Sequence, residues 1–295
     1  MTQGQLFRLP EKDPGPRPYA RVITVSVNRK GVLDVDTVKG CSLGMAAYPK
    51  AGCYGECYAY KNAVTYGFDF RTSISRQFMG REHKGTLMKL MMKLPTPWYR
   101  IGTAGDPCHD WTHTVAIVNA FWHLHKVPVI ITKHWIPMED GHIGKLKRLG
   151  AVVNTSVSGM DTDAEITYRV NQICRLRDAG LRSVCRVVTC EYGPSEWARV
   201  CREKQDYLLS FAPVIDNPLR ARRSNPRVIA GEIILQRKTG AVGGGKYVSL
   251  NCPATYLGTC QNCPDQCGVD SLAMSNMEKE REHEDQTNGT LCFQG

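Results

Sequence analysis

Long apolar runs are missing from this chain. The best one, Val127 to Ile131, gives way at once to Thr132, Lys133 and His134, far short of the roughly 20 residues a membrane span needs. The first residues, Met1-Thr2-Gln3-Gly4-Gln5, lack the basic-then-apolar pattern of an export signal, so a cytoplasmic location is expected, with no membrane partner. No internal repeat is visible. Acidic residues are in the minority, 28 against 38 Lys and Arg, which leaves a formal charge of +10. What the chain does have is an ordinary apolar content of 42%, which excludes disorder over most of its length. Its 295 residues suffice for one large domain or two small ones, with a core that needs no staples. Thirteen cysteines then stand out. In a reducing compartment clustered cysteines bind metal or do redox chemistry more often than they form disulfides, and an odd count in so long a chain agrees.

Four regions are expected. Residues 1–37 read as a proline-rich arm followed by a β-hairpin, Arg21 to Val27 and Val32 to Val38 around the turn Asn28-Arg29-Lys30-Gly31. Residues 38–240 alternate strand and helix. The strand candidates are Trp98–Thr103, Val127–Thr132, Ala151–Val157, Ser183–Thr189 and Tyr207–Phe211, with a further one at Val228–Leu235. Helices are expected over Thr112–His125, Ile143–Leu149, Asp163–Ala179 and Ser195–Lys204. Continuous apolar strands separated by amphipathic helices argue for a parallel sheet buried on both faces, hence an α/β fold built as a partial or full (β/α) barrel. Functional groups then belong in the loops after the carboxyl ends of the strands. Residues 241–275 form a cysteine-rich extension after the joint Gly243-Gly244-Gly245, and 276–295 a charged tail.

Cys41, Cys53 and Cys57 lie on one loop, eleven and then three residues apart, with no fourth cysteine nearby. Iron–sulfur clusters take four thiolates as a rule, so three leave one iron open to a further ligand. Zinc with a bound water, or buried free thiols, would also suit the spacing.

Several pieces in order resemble the radical S-adenosylmethionine (SAM) superfamily, specifically its phage-encoded families distantly similar to spore photoproduct lyase. They are Gly52-Cys53 to Cys57-Tyr58-Ala59, Gly105-Asp106-Pro107-Cys108-His109, Ile131-Thr132-Lys133 and Asn154-Thr155-Ser156-Val157-Ser158, within about residues 38–192. The cysteine spacing departs from the family's C-x3-C-x2-C and suggests an inserted loop, with Cys41 the least regular of the three. The resemblance implies a radical SAM type of (β/α) barrel. It implies a 4Fe–4S cluster on Cys41, Cys53 and Cys57, and SAM on the fourth iron. It further implies reductive cleavage of SAM to a 5′-deoxyadenosyl radical that abstracts hydrogen from substrate, and an electron donor such as flavodoxin. Gly102, Thr103, Ala104 and Gly105 would cradle the SAM amino group, and Lys133 would meet its carboxylate.

Other readings stand beside these roles. The glycines also suit a tight strand-to-helix turn. Asp106 would bind ribose or the SAM amine, or cap a helical turn. Lys133 would otherwise be a solvated surface lysine. Thr155, Ser156 and Ser158 offer hydroxyls at a strand end or are sheet structure. Arg186, inside an apolar strand, needs a partner, either substrate phosphate or a structural carboxylate. His109 and His113, with Cys108 and Asp110, have the spacing of a metal pair, although a helix start packed over the site is the preferred reading. Cys174, Cys185 and Cys201 read as core. Cys190, ending a strand beside Glu191 and Tyr192, is a candidate hydrogen-atom donor in catalysis, with a core thiol as the alternative.

The second cysteine cluster, Cys252, Cys260, Cys263 and Cys267, sets four thiolates within sixteen residues, enough to close a metal site. A structural zinc and an auxiliary 4Fe–4S cluster predict the same ligands. Its resemblance to a cysteine segment in a related phage family favours the cluster. Arg220, Arg222, Arg223, Arg227, Arg237, Lys238 and Lys246 concentrate positive charge that suits a nucleic-acid backbone or a solvated face. A substrate in phage DNA, such as a hypermodified thymidine that is modified or isomerised, fits that charge and family. The alternatives are a radical SAM enzyme acting on a peptide or metabolite, and a non-enzymatic zinc-knuckle protein that binds nucleic acid.

Overall fold

The computed structural model describes residues 21–27, 31–47, 56–219, 221–235, 239–242, 245–248 and 266–269. β1 (Val25–Val27) folds back on β2 (Leu33–Val35) as an antiparallel pair. β3 (Val38–Lys39) pairs with β4 (Ile74–Ser75), and α1 (Ser42–Ala46) and α2 (Tyr58–Thr65) lie between them in the chain. Thereafter α3 (Arg81–Met92) leads to β5 (Trp98–Ile101), α4 (Trp111–Ala120) to β6 (Val127–Thr132), α5 (Asp140–Arg148) to β7 (Val152–Ser158) and α6 (Asp163–Asp178) to β8 (Arg182–Val188). After β9 (Glu191–Tyr192), α7 (Glu196–Leu209) leads to β10 (Val214–Asp216).

The central sheet has seven strands in the order β1-β2-β5-β6-β7-β8-β10, parallel from β2 to β10. Parallel strands that neighbour one another in chain order, joined by right-handed crossovers, put all their connecting helices on one face. This winding is compatible with a partial (β/α) fold. β1 and β10 are the edges, so the fully closed form that was the other expectation is not made by the described strands.

The helices start where their caps dictate. Thr162 and Glu165 form a capping box at the head of α6, and Ser195 caps α7. Strand alternation then divides the core. Leu33, Tyr99, Ile101, Ile130 and Val153 face the helices and pack with Met91, Val115, Val118, Ile143 and Leu146. Val32, Trp98, Val127, Val129, Val152, Val184 and Ile215 face the other way, where Val269 and Cys267 pack against them. Gly268 allows this close approach: its φ is +83°, and an added Cβ would stand 2.6 Å from Val184.

Four expectations need correction. The division at residue 37 cuts through the sheet, because Leu33–Val35 is its first parallel strand. Tyr207–Phe211 is not a strand. Its first three residues end α7, since Ala198, Cys201, Gln205 and Leu208 keep one helical face buried, and the strand follows at Val214. Val228–Leu235 is not one strand either. Asn225 caps a one-turn helix, α8 (Pro226–Ile229), with Pro226 at the favoured first position, and only β11 (Ile233–Ile234) pairs with β9. Of the joint expected at Gly243 to Gly245, Gly245 instead begins β13 (Gly245–Val248), which pairs with β12 (Thr239–Val242), and Gly243 and Gly244 lie outside the described residues.

Candidate functional site at the strand ends

Cys41 and Cys57 reach the same place from two helix starts. Cys41 precedes α1 and Cys57 precedes α2, and both pack into one small cluster with Ala59, Tyr60, Phe68 and Phe70. The Cys57 sulfur caps α2 by accepting the Tyr60 N–H (3.4 Å). Gly44 leaves room for the Cys41 sulfur: a Cβ there would stand 2.6 Å from it, with the Trp135 ring beside it at 3.9 Å. Two thiols with that access suit a thiolate-bound metal. Cys53, the third expected ligand, lies outside the described residues, as do Cys252, Cys260 and Cys263 of the second cluster. Among the described residues no three His, Cys, Asp or Glu side chains converge as metal ligands.

The loop after β5 adjoins the cysteine loop directly. Gly40 bridges to Gly105, and the Gly40 N–H donates to the Ala104 carbonyl at 3.1 Å. A Cβ on Gly105 would fall 2.6 Å or less from the carbonyl oxygens of Gly40 and Val38, and one on Gly102 2.2 Å from that of Ile131, so only glycine fits at either position. Asp36, a residue the sequence reading passed over, organises this loop. Its Oδ1 accepts the Thr103 hydroxyl (2.6 Å) and the N–H groups of Thr103 and Ala104 (3.3 and 2.9 Å). Those donors are thereby spent on Asp36.

Asp106 is the cap of the two alternatives. Its buried carboxylate accepts the Cys108 N–H (3.1 Å), the Thr132 hydroxyl (2.6 Å) and the Lys133 N–H (2.7 Å), pinning the start of the turn to the end of β6. Lys133 is not a solvated surface lysine. It is buried, 3.9 Å from Asp161, which also meets Arg169 (2.6 Å) and accepts the Ser158 N–H (2.9 Å). Arg169 in turn donates to the Lys133 carbonyl at 3.0 Å.

On β7 the three hydroxyl residues part company. Thr155 lies on the helix side, beside His134 (3.2 Å), because alternate strand residues point to opposite faces. This corrects its grouping with Ser156 and Ser158. Ser156 pairs in register with Arg186 on the open face, while the Ser158 hydroxyl donates to the Val188 carbonyl (3.3 Å). Arg186 donates to the Asn217 side chain at 2.7 Å.

The remaining candidates are structural. The His113 ring bonds the Arg76 carbonyl (2.6 Å) and its N–H donates to Asp110 (2.9 Å), so the expected His109–His113 pair instead fixes a helix start, the preferred reading. Cys190 is enclosed with Tyr192, Cys201, Leu219 and Ile233, and Gln205 brackets its backbone at 2.9 and 3.2 Å. Burial pushes the Cys185 thiol up to about 12 and that of Cys201 up to about 11, as inert core thiols should be. His134, fully buried against Trp111, is pushed down to about 4 by burial and is neutral. No helix among the described residues is long and apolar enough to cross a membrane. No protein-family model, curated protein or solved structure matches the chain.

Proposed function

We propose that the protein is a radical SAM enzyme whose barrel is of that family's partial type. The observation that carries this reading is the meeting of Cys41 and Cys57 in one cluster, next to the Gly102–Gly105 loop, at the carboxyl ends of parallel strands. When bound on Cys41, Cys53 and Cys57, a 4Fe–4S cluster supplies the electron that cleaves SAM to methionine and a 5′-deoxyadenosyl radical. The chain's own work is positioning. Gly40, Gly102 and Gly105 remove side-chain bulk where the loops meet, and Asp36 and Asp106 hold the loops at a fixed height over the strand ends. Lys133 and Arg169 hold positive charge near the mouth, partly balanced by Asp161. The apolar packing of Ala59, Tyr60, Phe68 and Phe70 around the thiols limits water there.

For the substrate we propose nucleic acid. Arg222 and Arg223 are exposed, and Arg222 approaches Glu56, the residue before Cys57, so basic charge lies beside the candidate centre in a chain of net charge +10. The test is anaerobic purification and reconstitution with ferrous iron and sulfide, then addition of SAM and dithionite. A brown protein that forms 5′-deoxyadenosine is expected, with Cys57→Ala forming none. A colourless zinc protein, or turnover that survives Cys57→Ala, overturns the reading. Duplex DNA binding that weakens steeply with salt is expected, and its absence at low salt removes the substrate proposal alone.

A further inference from the structure

We propose that Glu56 is a positioning residue, a clasp that ties the cysteine loop to the segment after the last strand and so sets where the Cys57 sulfur stands. The consequence for a cluster rests on the function proposed above; the clasp itself does not.

Glu56 immediately precedes Cys57, and its side chain is only 3% exposed. A carboxylate so buried needs partners. It meets the Lys61 ammonium one turn into α2, accepts the Arg222 N–H at 3.1 Å and the Asn225 side-chain amide at 3.0 Å, and lies 3.5 Å from the Arg222 guanidinium. Burial alone would raise the acid's pKa. The hydrogen bonds from Lys61, Asn225 and Arg222 outweigh it and hold the carboxyl below its ordinary value.

The topology makes these contacts informative. Glu56 belongs to the loop that follows the first parallel strand, whereas Arg222 and Asn225 follow β10, at the opposite edge of the sheet. The segment from Leu219 to Leu235 leaves that edge, returns to pair β11 with β9, and meets the cysteine loop at Glu56 on the way. Asn225 is itself held. Its Oδ1 caps α8 by accepting the Arg227 N–H (3.0 Å), which aims its amide donor at Glu56. Lys61 and Arg222 are partly exposed, so their charge is screened. The Asn225 amide is the buried, directional contact.

That double duty gives a clean test. Asn225→Asp keeps the capping oxygen but sets a second carboxylate against Glu56. Asn225→Ser keeps a capping oxygen but removes the amide donor and adds no charge. Metal-free protein is labelled with a maleimide, and Cys57 and the core thiol Cys185 are followed by peptide mass spectrometry. Amide exchange over 56–65 is followed alongside. In Asn225→Asp, Cys57 labelling and exchange should rise about tenfold, the effect of losing one hydrogen bond to a charged group, with Cys185 unchanged. Asn225→Ser should move both in the same direction by less, because it adds no repulsion. Unchanged Cys57 labelling in both variants, or an equal rise at Cys185, overturns the clasp. Reconstitution with ferrous iron and sulfide separates the two readings. Iron retention should follow the labelling, whereas a labelling response with no iron bound by any variant keeps the clasp and removes the cluster.

Discussion

The helix-covered face of the sheet and the face opposite are built from the same strands, yet their chemistry differs. On the helix side Leu33, Tyr99, Ile101, Ile130 and Val153 give a continuous apolar layer under α3, α4 and α5. On the other side polar residues interrupt the apolar ones on most strands, β6 excepted, where Val127, Val129 and Ile131 follow one another. There Asp34 holds Arg100 through two contacts (2.8 and 3.1 Å), Asn154 donates to the Cys267 carbonyl (3.0 Å), and Ser156 adjoins Arg186. One face supplies stability, and the other keeps polar groups in fixed places near the strand ends. Period-two alternation lets a single strand serve both.

The comparison can be broken at graded strength. Leu146→Ala on the fully buried helix side should cost about 3.5 kcal/mol, transfer plus cavity. Denaturant unfolding should show this as a lower midpoint with an unchanged slope. If the cost is below about 1 kcal/mol, that face is not where the stability lies.

His134 probes the helix side near the strand ends, where it lies beside Thr155 and Trp111. Its folded value of about 4 lies below the ordinary 6.5, so only the unfolded chain takes up the proton between those values. Its contribution is therefore complete above pH 6.5 and is lost as the pH falls to about 4, by about 3 kcal/mol in all. The difference between wild type and His134→Asn, a residue that tolerates the left-handed backbone at this position (φ +55°), should trace that slope. A pH-independent difference would mean that the imidazole titrates normally.

Val269→Ala should have the smallest effect, about 1.5 kcal/mol for two methyl groups. Thermal unfolding of the full chain measures it. No shift in Tm would show that residues 266–269 do not supply the cover on the open face.

Much of the fold was legible because the signals were local. Val127–Thr132 is a strand with the bounds read from the sequence, since a six-residue run that is β-branched except at Pro128 has few other options. α6 was legible from the glycine that stops it, Gly180. The failures came where two local signals competed. The apolar residues at 207–211 suit a strand or a helix end, and the unbroken buried face of α7 decided between them. At 225–229 the Asn-Pro start prevailed over a β-branched run.

The site was legible in part. The cysteines and the glycine loop stood out by residue type, but Asp36, Glu56 and Asp161 did not. Carboxylates are common, and these three matter only through what they touch. Alternation in Asp34-Val35-Asp36 was the one signal that could have marked Asp36 as facing away from the helix-side core.

By itself the sequence determined the strand and helix periods, the parallel winding and the clustering of thiols, because each is written in neighbouring residues. Tertiary structure alone decided that Cys41 and Cys57 pack against one apolar cluster, that Thr155 and Ser156 part to opposite faces, and that Glu56 reaches Asn225. Those facts depend on strand register and on contacts across more than a hundred residues, where a one-residue shift would turn every side chain to the other face.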